Sequence, residues 1–130
     1  MSVLTLILTS DPALRDALRW AAEEFGPVVV TNKPAMAIYR AAVHEPLVAV
    51  VDLDAVPPDG RSGLLSTLRT RFQIAIVGVG HPAVTQDATS LGLTEIVAKP
   101  VNVGKVMAAI DRILGERARR SSPLRDQNAC

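Results

Sequence analysis

The sequence predicts a doubly wound α/β domain in which five parallel strands alternate with five helices. Three observations carry that prediction. Apolar runs of strand length alternate along the chain with segments of helical period. Hydrophobic residues make up 48% of the chain but aromatic residues only 3%, so the core must be aliphatic, which suits strands buried on both faces. At 130 residues the chain is one domain long, enough to bury a core without disulfides or a structural metal.

Val3–Leu8 reads as the first strand. Asp11 and Pro12 behind it form an N-cap and first-position pair, and Leu14, Ala17, Leu18, Ala21 and Phe25 share one face of the helix they open, which Gly26-Pro27 closes. Val28–Thr31 is the second strand, and Pro34–His44 a helix with Ala35, Ile38, Tyr39 and Ala42 expected inward. Leu47–Val51 is apolar without alternation, as a central strand should be. Leu64, Leu65, Leu68 and Phe72 mark a third helical face ahead of a fourth strand at Ile74–Val79. A short, weakly amphipathic helix spans Ala83–Leu91, and a fifth strand Glu95–Ala98. Val103, Val106, Met107, Ile110, Ile113 and Leu114 then give the strongest helical stripe. Right-handed crossovers fold such β-then-α units into one open parallel sheet with helices on both faces.

The net charge of +1 conceals an asymmetry. Residues 1–111 hold 9 Lys/Arg against 11 Asp/Glu, whereas residues 112–130 hold 5 against 2. The domain is therefore expected over residues 1–117, with 118–130 a flexible, basic tail. Arg117, Arg119 and Arg120 read as a solvated helix end rather than a nucleic-acid contact. Cys130 is the single cysteine, with no internal partner, which points to a reducing compartment or an inert thiol. No apolar run approaches the roughly 20 residues of a membrane span, and "MSVLTLILTSD" lacks the basic leader of a signal peptide. The expected location is cytoplasmic.

In a sheet of this kind ligands gather outside the carboxyl ends of the strands. Thr9, Ser10 and Asp11 follow the first strand, Asp52 and Asp54 the third, Gly78 the fourth, and Lys99-Pro100 the fifth. A carboxylate and a lysine on one rim could hold a phosphoryl group. From the residues alone an equally good reading makes Asp52 a loop cap and Lys99 an ordinary surface cation. His44, ending a helix, and His81, in a loop, read as solvated turn residues.

The order of elements, together with Asp52, Asp59-Gly60 and "GLTEIVAKP" (residues 92–100), resembles the receiver domain of bacterial two-component response regulators, a flavodoxin-like (βα)5 fold. The likeness covers roughly residues 2–117. It implies that Asp52 is the phosphoacceptor, that Lys99 contacts the phosphate, and that the peptide before Pro100 is cis. It also implies Mg²⁺ bound near Ser10, Asp11, Asp52 and Asp54. Several positions depart from the family pattern. Aligned through Pro12, the acidic pair that binds Mg²⁺ in receivers is Thr9-Ser10, and Asp11 falls one residue later, where it is expected to cap the helix. Asp54 matches a position that offers a backbone carbonyl. The switch hydroxyl after the fourth strand becomes Gly78, with Val77 or Val79 as alternatives one residue away, and the switch aromatic of the fifth strand becomes Ile96. Val56 stands where a proline is usual, with Pro57 and Pro58 following.

Phosphoryl transfer depends on neutralising charge at the transferring oxygens, much of it by metal, and Mg²⁺ normally takes one or two carboxylates. Neutral hydroxyls at Thr9 and Ser10 are a poor substitute. The expectation is an atypical receiver, not an enzyme, with weak Mg²⁺ binding and slow or absent phosphorylation, working mainly through protein contacts. The partners expected are a histidine kinase, a phosphotransfer protein, a downstream output protein, or a second copy meeting through the fourth helix, fifth strand and fifth helix. Thr85, Ala88 and Thr89 are the expected contacts there, on a segment whose only charge is Asp87. Two other readings stand beside it: a phosphorylatable receiver or phosphorelay shuttle with Asp52 as nucleophile, and a flavodoxin-like cofactor module using "TSDPALR".

Overall fold

The computed structural model describes residues 3–88 and 91–120. The strands are β1 (Thr5–Leu8), β2 (Val28–Thr31), β3 (Val48–Asp52), β4 (Ala75–Gly80) and β5 (Glu95–Ala98). The helices are α1 (Pro12–Glu23), α2 (Pro34–His44), α3 (Pro58–Ser66), α4 (Pro82–Ala88) and α5 (Val103–Arg120). All strands pair in parallel, in the order β2-β1-β3-β4-β5. Each crossover between parallel neighbours carries a helix, as the alternating sequence requires.

The sheet separates two aliphatic cores by the period of two along each strand. Ile7, Val50, Val77 and Val79 face Leu14 and Leu18 of α1 and Val106 and Ile110 of α5. Leu6, Leu8, Val51 and Ile76 face the opposite way, toward α2 and α3. The strands therefore read as unbroken apolar runs because both faces are covered. Local signals set the helix starts: the Asp11 carboxylate accepts from the N–H groups of Ala13 and Leu14, and Pro12 follows at the first position. At Gly26 the backbone takes φ +144°, and a Cβ there would lie 2.5 Å from the Val3 backbone, so only glycine fits between α1 and β2.

The inward face of α2 differs from the sequence expectation. Ala37 and Ala41 are buried and Ile38 packs partly against the core, while Ala35, Tyr39 and Ala42 are exposed. The helix is apolar nearly all round, so its periodicity does not single out a face. Contact with the sheet selects the small alanine stripe. Thr85, expected as a surface contact on α4, is buried, with its hydroxyl donating to the carbonyl of Pro82. Thr89 and residues 121–130 lie outside the described residues, and α5 itself continues to Arg120, past the expected boundary at 117.

Candidate functional site

Asp52 is the last residue of β3, and register places its neighbours. Leu8 pairs with Val51, so Thr9, one residue on, lies level with Asp52; on the other side Asp52 pairs with Val79. The Asp52 side chain is only 3% exposed. A buried carboxylate needs partners for both oxygens, and Asp52 has them. Its Oδ2 accepts from the Thr9 hydroxyl at 2.8 Å. Its Oδ1 accepts from the Asp54 backbone N–H at 3.1 Å and faces Lys99 Nζ at 3.1 Å.

Lys99 reaches this point because it directly follows β5, its N–H donating to the Gly80 carbonyl, with a cis peptide to Pro100. The ammonium bridges two carboxylates, meeting Asp54 Oδ2 at 2.9 Å as well as Asp52. Asp54 sits in the short 3-10 turn Leu53–Ala55 that leaves β3. Its Oδ2 also contacts His81 Nδ1 at 2.8 Å and accepts from the His81 backbone N–H at 3.3 Å. Arg61 Nε pins the same loop by donating to the carbonyls of Leu53 and Val56. One polar network thus ties together the ends of β1, β3, β4 and β5.

Burial pushes the Lys99 ammonium toward neutrality, but its hydrogen bonds to Asp54 and Asp52 and their charges outweigh this, holding it above the ordinary lysine value. Burial likewise raises the Asp54 carboxyl, and Lys99 and His81 together bring it below the ordinary carboxylate value. Both groups are charged at neutral pH.

The donor set does not fit a resident Mg²⁺, which demands near-octahedral oxygen ligands. Both Asp52 oxygens and Asp54 Oδ2 are engaged, and the Thr9 hydroxyl spends its proton on Asp52. Asp11 turns its carboxylate to the start of α1, and Ser10 is exposed. Among the described residues no group of three or more His, Cys, Asp or Glu side chains could hold a metal. The lysine ammonium lies between the two carboxylates, where a bound cation would otherwise balance them.

Of the residues singled out from sequence, Asp52, Asp54, Thr9 and Lys99 converge. Gly78 is two residues short of the end of β4, in register with Val51 and with the half-buried Ile96, and a Cβ on it would meet Leu93. Gly80 ends the strand. Asp59 and Gly60 are exposed in the first turn of α3. Sequence reasoning missed one contact: His81 is solvent-exposed in the loop after β4, as expected, but its ring also meets Asp54.

No family model matches the chain, and no curated protein does. Solved structures match its fold. A chemotaxis response regulator of Vibrio cholerae superposes with a TM-score of 0.73 at 16% identity, over 87% of this chain and 99% of that one. The signal receiver domain of an HD-domain-containing protein from Pseudomonas fluorescens gives 0.78 at 12% identity, over 92% and 99%. NtrX from Brucella abortus gives 0.80 at 18% identity over 100% of this chain, which spans only 30% of that protein. The chain has the receiver fold, the flavodoxin-like arrangement its sequence predicts.

Proposed function

We propose that the chain is an atypical receiver domain of two-component signalling, with the folded unit running through α5 to Arg120. It acts in the cytoplasm through protein contacts, not as an enzyme, and its phosphorylation is weak or absent. One observation carries the reading: Lys99 bridges Asp52 and Asp54 at 3.1 and 2.9 Å while Thr9 closes the second Asp52 oxygen. The rim is neutralised from within by a lysine and a hydroxyl. An Asp52 oxygen attacking phosphorus would do so with its charge already shared with Thr9 or Lys99, which lowers its nucleophilicity. The metal that would spread the charge of the transferring group has no ready ligands. Gly80, which ends β4 where Gly78 was expected to, and Ile96 offer neither the hydroxyl nor the aromatic that couples phosphate to an output face in receivers.

The partner is a histidine kinase, a phosphotransfer protein, a downstream output protein or a second copy, engaged constitutively at the α4, β5 and α5 side. That side carries the Arg112–Glu95 ion pair between α5 and β5, at 2.8 Å, so its contacts are less purely neutral than the α4 sequence implies. Intact-mass measurement after treatment with a small phosphodonor and Mg²⁺ tests the reading. An unmodified chain is expected. Stoichiometric phosphate that disappears in Asp52→Asn would establish the phosphorelay alternative instead.

A further inference from the structure

We infer that a basic cavity at the carboxyl ends of β1 and β2, beside the Asp52–Lys99 network and sharing Thr9 with it, binds a phosphate-bearing small molecule of nucleotide size. The cavity measures about 700 Å³ and is walled by α1 on one side and α2 on the other. That volume lies within the range of small-molecule sites. Four cations line it, Arg15, Arg19, Lys33 and Arg40, against one carboxylate, Asp11. The Asp11 carboxylate is already committed to the first turn of α1. Among the described residues Arg15 has an exposed partner in Asp16, but no ion pair reaches Arg19, Lys33 or Arg40.

Two independent features point to an absent acceptor. Arg40 Nε is buried with no hydrogen-bond partner. An unpaired buried donor on a charged group is costly, and the Arg40 side chain, which lines the cavity and is only partly buried, would turn toward an anion held there. The start of α2 is the second feature. Lys33 occupies its N-cap position without a side-chain capping bond, and Pro34 follows, so no side chain satisfies the N–H groups of the first turn. The approach is held in shape by the Thr31 hydroxyl, which accepts from the Lys33 N–H at 3.3 Å. Arginines, a lysine and free helix N–H groups are the donors that phosphate oxygens select. Val30 and Met36 add apolar wall for the remainder of a ligand. An acidic protein segment would be drawn to the same charge, but the concave shape and the buried Nε favour a small, compact anion.

The test uses the full chain, without Mg²⁺, titrated separately with ADP and with inorganic pyrophosphate, followed by ¹⁵N–¹H NMR and calorimetry. Saturable binding of either probe is expected, with shifts at residues 30–36 and at the Arg40 Nε–H signal. Lys33→Glu, an exposed change, should weaken it tenfold or more, whereas Asp52→Asn should leave it intact. Any of three results would overturn the inference: no saturable binding of either probe at millimolar concentration, shifts centred on Asp52 and Lys99, or affinity indifferent to Lys33→Glu. A glutamate-rich peptide binding the same residues more tightly than both probes would overturn it too. Because Asp52→Asn is silent here, failure of this site and failure of the receiver reading are separable.

Discussion

Replacing Lys99 with methionine keeps much of the side-chain volume and removes the cation that faces Asp52. Asp52 is 3% exposed and Lys99 18%, so water would replace the ammonium only in part. Breaking a buried ion pair by removing one partner typically costs about 3–5 kcal/mol, because the surviving charge is left uncompensated. Here the Thr9 hydroxyl and the Asp54 N–H remain on Asp52, so the lower end, about 3 kcal/mol, applies. For 130 residues, with an unfolding entropy of about 2.1 cal/mol/K per residue, that is a fall of roughly 10 °C in Tm. The cost should lie in the stranded carboxylate. Asp52→Asn alone should cost only about 1 kcal/mol, since Lys99 keeps Asp54 and the amide can still meet its neighbours. In the double variant Lys99→Met should then cost at least about 2 kcal/mol less than it does in the wild type, a coupling measurable by urea unfolding in a double-mutant cycle. If Lys99→Met costs under about 1 kcal/mol, or Asp52→Asn does not relieve it, the network is not internally neutralised as described.

The same network sets a pH dependence. Lys99 is held above the ordinary lysine value of 10.5, so its contribution is complete below that pH and is lost as pH rises through the higher folded value. Asp54 is held below the ordinary aspartate value of 3.8, so its contribution is complete above that pH and is lost as pH falls through the lower folded value. Urea midpoints should therefore be flat through neutrality and drop at both ends, and Lys99→Met should remove the alkaline drop; parallel curves for the two proteins would contradict this. Gly26→Ala should destabilise by about 2 kcal/mol or more, since it places a Cβ at a strained φ and against the backbone, and thermal unfolding reads it directly; a neutral substitution would mean that the Val3 to Gly26 approach is looser than described.

The sheet was legible because its signals are local and redundant. Asp11-Pro12 starts α1, Val28–Thr31 is bounded by turn residues on both sides, and the apolar run ending at Asp52 marks a strand covered on both faces. The convergence of Asp52 and Lys99 followed from topology, since both sit at carboxyl ends of parallel strands on one rim, β3 and β5 with β4 between them. The face of α2 was not legible, because a helix that is apolar all round has no preferred side until a sheet is laid against it. Packing chose Ala37 and Ala41 over Ala35, Tyr39 and Ala42. Nor were the contacts of the Asp54 carboxylate with Lys99 and His81 visible. They depend on where the turn after β3 aims one carboxylate, and a single-residue difference in that turn would point it into solvent. Thr85 shows the same limit: a hydroxyl on a weakly amphipathic helix reads as exposed until its own backbone accepts its proton.

Titration of the chain with Mg²⁺, followed by ¹⁵N–¹H NMR at residues 9–11 and 52–54, tests the internal neutralisation of the rim most directly. With Lys99 lying between the Asp52 and Asp54 carboxylates and Thr9 closing the remaining Asp52 oxygen, no saturable shifts localised at those residues are expected through millimolar metal. Saturable shifts centred there at submillimolar Mg²⁺ would contradict the account and restore an ordinary metal-dependent receiver.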